Sequence, residues 1–393
     1  MDVERFAPMG AQQRDLEGLV REVARGCITR RQFLERALAL GLSVSAIGTV
    51  LSACGTGAAD ETATPAAMDT TVPDKMILYN WAEYMPSSIL KSFEKKYGIK
   101  VEETYFEDNE ALLAKLKAGA RGYDMTVTSD YMVAIMIESG LLVPLDMKYI
   151  PNFNNVDERY YKPQWDPGED GKKYSVPYQW GTTGVGVRTD VVKEPVSSWT
   201  DLWDPKYKGQ IVMLADEREV LAAALKMLGY SMNSTSQDEL DQATAKCIEQ
   251  KPLVKAYTST TTRRSIMEGT GMTHGWTGYV LSAYDELGSE KLTYMLPSEG
   301  YCLWTDNAVI PVGGKSPYAA HLFMDYICDP KIAGELVDYS WFHSPVPAAE
   351  EFSDPIVWKF APTGSDLERG EPFRDLGDFA RNWSEAWRAV RSA

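Results

Sequence analysis

Aromatic residues and carboxylates recur together where strand-like runs of this sequence end. Trp81 stands with Glu83 and Tyr84, Ser129-Asp130-Tyr131 closes another run, Asp216 and Glu219 open an apolar helix, Trp276 follows MTHG, and Trp304 precedes Asp306. Indole and phenol faces attract an organic cation by roughly 0.5–2 kcal/mol each, more when desolvated. A carboxylate adds a charge-assisted hydrogen bond to each ammonium, and aliphatic spacers pack on the same rings. Several carboxylates at fixed separation suit a ligand with several positive charges. An amino acid would also need an arginine for its carboxylate, so the pattern points to a polyamine. Each residue has a plainer reading when taken singly. A Trp at a strand end is often core or rim, Asp216 can cap the helix that begins near Glu217, Glu83 can be a solvated loop charge, and Tyr131 can lie on a buried helix face. The joint recurrence is what favours a site.

The elements that must position these residues alternate. A strand at Lys75–Trp81 is followed by a helix over SSILKSFEKKYG, with Pro86 at its start and Gly98 as its stop. Next come the alternating IKVEETYF, a helix over NEALLAKLKAG with Asn109 as its cap, the strand RGYDMTVTSD and the helix DYMVAIMIESG. This order argues α/β units around a parallel sheet. The Gly-rich GTTGVGV after Pro177-Tyr178-Gln179-Trp180 reads as a crossing strand or a hinge, because no helical pattern follows it as a phosphate loop requires. A second block holds QIVMLA, the helix EVLAAALKMLGY, MTHGW, YCLWTDNAVIPVG and SPYAAHLFMDYICD. The expected fold class is α/β with two lobes and a ligand cleft between them, the chain crossing near Thr182 and near Asp306. Ligands of open α/β sheets bind at the carboxyl ends of strands, and two lobes can close around them by a hinge.

The first 53 residues read as an export signal. Arg30-Arg31, with Phe33 and Leu34, resembles a twin-arginine motif. An uncharged apolar run from Ala37 to Leu51 is too short to span a bilayer comfortably. Leu51-Ser52-Ala53-Cys54-Gly55 resembles a lipobox, which makes Cys54 the lipid-bearing first residue of the mature chain. Residues 54–74, rich in Ala, Thr, Gly and Pro, read as a flexible tether. The expected lobes are then 75–181 with about 307–355, and about 182–306 with 356–393.

Composition narrows the function. The chain has 393 residues and a formal charge of −16, with 44% hydrophobic and 24% charged residues. That acidity argues against nucleic acid, whose phosphates want a basic face. Three His in scattered positions, with no Cys/His cluster, argue against a zinc enzyme, and no cofactor is expected. Beyond Cys54, export permits oxidation of one pair among Cys247, Cys302 and Cys328, and the sequence does not choose among the pairings.

The strings LYNWAEYMPSSILKSFEKKYGIKV, YDMTVTSDYMV, YSVPYQWGTTGVGV, SWTDLWDPKYKGQI, ADEREVLAAALKMLGYS and LWTDNAVIP resemble, in order, blocks of the spermidine/putrescine-binding proteins of bacterial ABC transporters. The resemblance covers most of Lys75 to about Pro347. It implies a two-lobed, periplasmic-binding-protein-like fold. It also implies a monomer that traps a polyamine and delivers it to a membrane permease at the outer face of the cytoplasmic membrane or in the periplasm, without enzymatic chemistry. It carries ligand contact onto Trp81, Glu83, Tyr84, Ser129, Tyr131, Asp216, Glu219, Trp276, Trp304 and Asp306. Asp306 and the rings would hold the ligand's middle, with Glu83 at one end and Asp216 and Glu219 at the other.

Two departures bear on the choice of polyamine. A tyrosine common in the family falls here on Phe342 or His343, and a glutamine of spermidine-preferring members falls nearest Phe373. Arg263 and Arg264, in TSTTTRR, would repel a polyamine if either reached the cleft, and would favour an anion. Two other classes stay open: an exported glycosidase with Glu83 and Asp306 as its carboxylate pair, and a structural surface protein. Neither GxSxG nor HExxH occurs.

Overall fold

Strand β1 (Lys75–Trp81) lies between β2 (Lys100–Phe106) and β3 (Met125–Ser129), parallel to both. The helices between them cover the faces that such parallel units must bury. Helix α1 (Ser87–Tyr97) starts after Pro86 and stops at Gly98, whose φ of 73° is the left-handed cap that glycine supplies without penalty. Helix α2 (Asn109–Lys117) corrects the expected cap: Asp108 takes that place, its carboxylate accepting from the Ala111 amide at 2.6 Å. Asn109 is instead buried and turned inward toward β3. Helix α3 (Asp130–Glu138) follows β3 without a loop.

A computed structural model describes residues 68–168 and 171–393. The expected signal 1–53, the lipobox Cys54 and most of the expected tether lie outside the described residues. Within them, residues 69–393 form one compact unit, and no described helix is long and apolar enough to cross a membrane.

Strands β4 (Ser175–Val187) and β9 (Tyr301–Val309) tie the sheet together. β4 is buried along all 13 residues, as a strand covered on both faces must be. Its first part, Ser175–Thr182, pairs with β9, and its second, Thr183–Val187, pairs with β7 (Met272–Trp276), both antiparallel. The partner changes between Thr182 and Thr183. β9 pairs antiparallel with β3 from Asp306 to Val309, setting Asp306 opposite Ser129. The second half repeats the parallel arrangement: β5 (Ile211–Met213) lies between β6 (Val254–Tyr257) and β7. β8 (Thr293–Met295) joins β4, and the short β10 (Gly370–Glu371) joins β9. The sheet is therefore mixed rather than parallel throughout, because β4 and β9 run antiparallel to each other, β4 also to β7 and β8, and β9 to β3.

Two large cores flank this frame. One gathers Met76, Leu78, Phe93, Val127 and Phe323. The other gathers Val185, Trp199, Leu225 and Trp383 around helix α4 (Glu217–Met227). α4 is buried on nearly every side, which its Val-Leu-Ala-Ala-Ala-Leu run permits. The thiols of Cys247, Cys302 and Cys328 are buried and free, so none of the three pairings is formed.

Candidate ligand-binding cleft

Asp306 sits in mid-strand on β9, 8% exposed. Its Oδ2 accepts from the Tyr84 hydroxyl and its Oδ1 from the Ser129 hydroxyl, both at 2.8 Å. Burial pushes its carboxyl up to about 6, and the two hydrogen bonds restrain the rise. β9 carries the aspartate, the β3 terminus supplies Ser129, and the turn after β1 supplies Tyr84.

A second acidic point faces it from α4. Glu219 Oε1 accepts from Trp276 Nε1 and from the Thr183 hydroxyl, both at 2.8 Å. Asp216 caps α4, its Oδ1 accepting from the Glu219 amide at 3.0 Å. The capping role and a place in the cleft wall therefore coincide. Burial pushes Glu219 up, and the Asp216 charge one turn away pushes it further. Asp216 is raised as well, chiefly by burial. From the opposite wall, Glu110 accepts from the Tyr131 hydroxyl at 3.1 Å, and its carboxyl is raised by burial with Asp216 as a like charge. Asp130 is held by the Tyr131 and Thr305 amides, yet burial dominates and lifts it to about 8.

The rings between these acids form a connected lining. Phe342 packs against Trp304 at 5.0 Å, Tyr279 at 5.6 Å and Tyr84 at 5.9 Å between centroids. Trp276 meets Tyr279 at 5.8 Å, and Trp81 rests on Phe106 at 4.4 Å. The indole nitrogens of Trp81 and Trp304 are buried and make no hydrogen bond. The enclosed volume is about 390 Å³, ample for a linear chain of a few carbons and nitrogens.

Every residue expected at the cleft lines it except Glu83. The backbone at Glu83 takes φ 56°, a left-handed value uncommon for a side chain larger than asparagine. The carboxylate is exposed, and both it and Asp306 lie within electrostatic reach of Tyr279. Glu83, expected at one ligand end, thus stands outside the cleft lining. Arg263 and Arg264 also stay away: Arg263 pairs with Glu286 and Arg264 with Glu268, both on the surface.

The sequence reading missed Glu110, Arg218 and Tyr279, all of which line the cleft. Glu110 follows a strand end as the other acids do, so the same rule applied to β2 would have found it. Arg218 is the one Lys or Arg among the described lining residues. Its guanidinium lies 4.5 Å over Phe373 and 5.4 Å over Tyr131, bonded to Asn233 and to the Arg374 carbonyl. Phe373 thus stacks on an arginine where an amide was expected. Tyr279 brings a hydroxyl to the ring lining beside Phe342, which has none.

Two substitutions test this geometry. Trp276→Ala removes a ring face and the bond that orients Glu219, and is expected to weaken cation binding about tenfold or more; a titration giving unchanged affinity would remove Trp276 from the site. Gly181→Ala is expected to lower both the melting temperature and the affinity. A Cβ there would meet Trp304 Cζ2 at 2.5 Å, an overpacking worth about 1–3 kcal/mol. Thermal unfolding and titration that both match the parent would show that the Trp304 ring is not held by Gly181.

Comparison with known proteins agrees with this architecture. The profile of a family described as bacterial extracellular solute-binding protein matches residues 88–363. The spermidine/putrescine-binding periplasmic protein of Salmonella typhimurium is 33% identical, over 81% of this chain and 92% of its own. A putrescine/cadaverine-binding protein of Pseudomonas aeruginosa is 31% identical, over 81% and 95%. Among solved structures, a lipoprotein of Treponema pallidum superposes with a TM-score of 0.73 at 30% identity, covering 81% of this chain and all of that one (100%). The spermidine/putrescine ABC transporter substrate-binding protein of Streptococcus pneumoniae gives 0.71 at 29%, covering 81% and 99%.

Proposed function

The chain belongs to the bacterial extracellular solute-binding protein family, the solute-capturing components of ABC importers, and on that footing we propose that it captures a polyamine in the cleft and delivers it to a membrane permease. The observation that carries this reading is the placement of its acids in one cleft. Asp306 and Glu219 stand on different elements, each oriented by two side-chain donors, with the rings of Trp276, Tyr279, Phe342 and Trp304 around them. A ligand with ammoniums at both ends and methylenes between them meets a carboxylate at each end and rings along its length. Capture is reversible and makes or breaks no bond.

The lobes follow from the same reading: 75–181 with about 307–355, and about 182–306 with 356–393. The change of β4 partner at Thr182/Thr183 supports a crossing there, and the ligand would stabilise the closed arrangement of the two lobes by binding both. The chain acts as a monomer, exported and held at the outer face of the membrane by a lipid on Cys54. The Treponema relative is itself a lipoprotein. Cys54→Ser is the matching control: it should release the chain from the membrane fraction without changing ligand affinity.

The deciding experiment is isothermal titration of the chain freed of residues 1–54 with spermidine, putrescine and an uncharged sugar. Micromolar or tighter binding of a polyamine, about −8 kcal/mol or more, with no heat from the sugar, supports the proposal. Folded, ligand-free protein giving no heat with either polyamine would overturn it.

A further inference from the structure

Asn109 lines the cleft from the first turn of α2 and is only 6% exposed. It does not cap its helix, and its amide reaches three hydroxyls at the end of β3 and the start of α3. Oδ1 accepts from the Thr128 hydroxyl at 2.7 Å. Nδ2 donates to the Ser129 hydroxyl at 3.1 Å and to the Tyr131 hydroxyl at 3.2 Å. Each of those two hydroxyls donates in turn to a cleft carboxylate, Ser129 to Asp306 Oδ1 at 2.8 Å and Tyr131 to Glu110 Oε1 at 3.1 Å. One amide thus stands at the head of two hydrogen-bond chains that end on different acids.

Counting hydrogens fixes the direction of both chains. An ionised carboxylate only accepts, an amide nitrogen only donates, and a hydroxyl has a single hydrogen. Ser129 and Tyr131 each stand between the amide nitrogen and a carboxylate, so each must accept from Asn109 and send its own hydrogen to the acid. Thr128 holds the other end of the amide by donating to Oδ1. With the amide turned over, Oδ1 would compete with Asp306 and Glu110 for the same two hydrogens. Buried chains of this kind strengthen one another bond by bond, and a donor to a carboxylate favours its charged form.

We propose that Asn109 is a positioning residue for ligand capture: its amide commits Ser129 and Tyr131 to donate, so that one buried side chain holds the Asp306 and Glu110 carboxylates aligned before a cation arrives. This role presupposes the cleft reading, in which Asp306 meets an ammonium. Acceptors ordered in advance spare the ligand the cost of ordering them. Asp306 faces the Tyr84 and Ser129 hydroxyls, with Tyr178, Tyr279 and Asp130 in electrostatic reach. Glu110 faces Tyr131, with Asp108, Asp216 and Glu217 as like charges. Of all these groups only Ser129 and Tyr131 bond to the Asn109 amide, so its effect on either acid passes through a hydroxyl.

Carboxyl NMR of the ligand-free chain, together with titration of putrescine, tests it. Asn109→Leu is close to isosteric and removes both donors. Combined with Thr128→Val it leaves no buried hydroxyl without its acceptor, so folding is preserved. In that double variant Asp306 should titrate at a higher pH than in the parent, because the Ser129 hydroxyl is free to turn away from it. Putrescine affinity should fall about three- to tenfold, the effect of a lost hydrogen bond or two. In a Ser129→Ala, Tyr131→Phe background the same two substitutions should change affinity by less than about twofold, since the hydroxyls that transmit the effect are gone. A raised Asp306 midpoint in a chain that binds no polyamine would keep Asn109 as the residue that sets the carboxylates and remove the polyamine reading. An unmoved Asp306 midpoint, or an equal loss of affinity in both backgrounds, would overturn the role of Asn109.

Discussion

Asp306→Asn is expected to weaken polyamine binding by about a hundredfold while leaving the fold intact. The substitution preserves shape and one acceptor oxygen, but replaces a charge that Tyr84 and Ser129 hold in place from both sides. Truncating one partner of a desolvated charge pair costs about 2–5 kcal/mol, or roughly 30-fold to several thousandfold in affinity. The new amide also presents a donor to one of two hydroxyls that now donate, so that hydroxyl must turn. In the free protein the change is mild, because the amide carries no charge to desolvate. Titration should therefore show the large loss while the melting temperature of the ligand-free protein holds or rises slightly. Affinity within about threefold of the parent would mean that Asp306 does not meet an ammonium.

Ligand capture is also expected to release protons, and affinity is expected to fall about tenfold or more from pH 8 to pH 6. The cleft crowds acids whose carboxyls burial has raised, Asp130 to about 8 and Asp306 to about 6, with Glu219 and Asp216 raised together. Without ligand Asp130 keeps its proton near neutrality, and Asp306 takes one up as the pH falls through about 6. An ammonium nearby favours their charged forms, so binding drives protons off. The ligand's own amines, with pKa values near 10 like that of lysine, stay charged throughout. Affinity must then rise with pH through these values, each proton released contributing up to a tenfold change per pH unit.

The same shifts act on stability with the opposite sign. The folded, ligand-free protein binds more protons than the unfolded chain between about pH 4 and pH 8. This contribution to stability is full below the unfolded carboxyl values near 4 and is lost as the pH climbs through the folded values of about 6 and 8. Bound ligand offsets that loss, so its effect on the melting temperature should grow from pH 6 to pH 8. Titration in two buffers of different ionisation enthalpy measures the protons directly. No buffer dependence, together with a flat affinity between pH 6 and pH 8, would show that the cleft acids are already ionised before the ligand arrives.

Much of this protein could be read before its structure was known. The order of strands and helices followed from periodicity, Gly98 and Pro86 marked the bounds of α1, and the acids and rings at strand ends pointed to a cationic ligand. Asn109 shows where local reading stops. Asp and Asn both cap helices well, so Asp108-Asn109 offers two caps, and only the contact with Thr128 across the sheet decides that Asn109 turns inward. Arg218 shows a second limit. On α4 it looked like any helical arginine, and its place in the cleft wall depends on Phe373, 155 positions further along the chain.

By itself the sequence determined which chemistry was available and roughly where along the chain it lay. Alternating α/β units carry the ends of parallel strands to one edge of the sheet, so Ser129 and Trp81 were bound to lie close together however the rest packed. Whether a side chain at that edge faces inward or outward was decided by tertiary structure alone. Glu83 and Tyr84 are neighbours in sequence, yet a left-handed turn puts one in solvent while the other reaches Asp306. Glu110 and Asp216 come to share a cleft only because β4 and β9 join the two halves of the sheet. Composition and periodicity act over a few residues. The direction of a side chain into a shared cavity depends on contacts between residues more than a hundred positions apart, which no local pattern encodes.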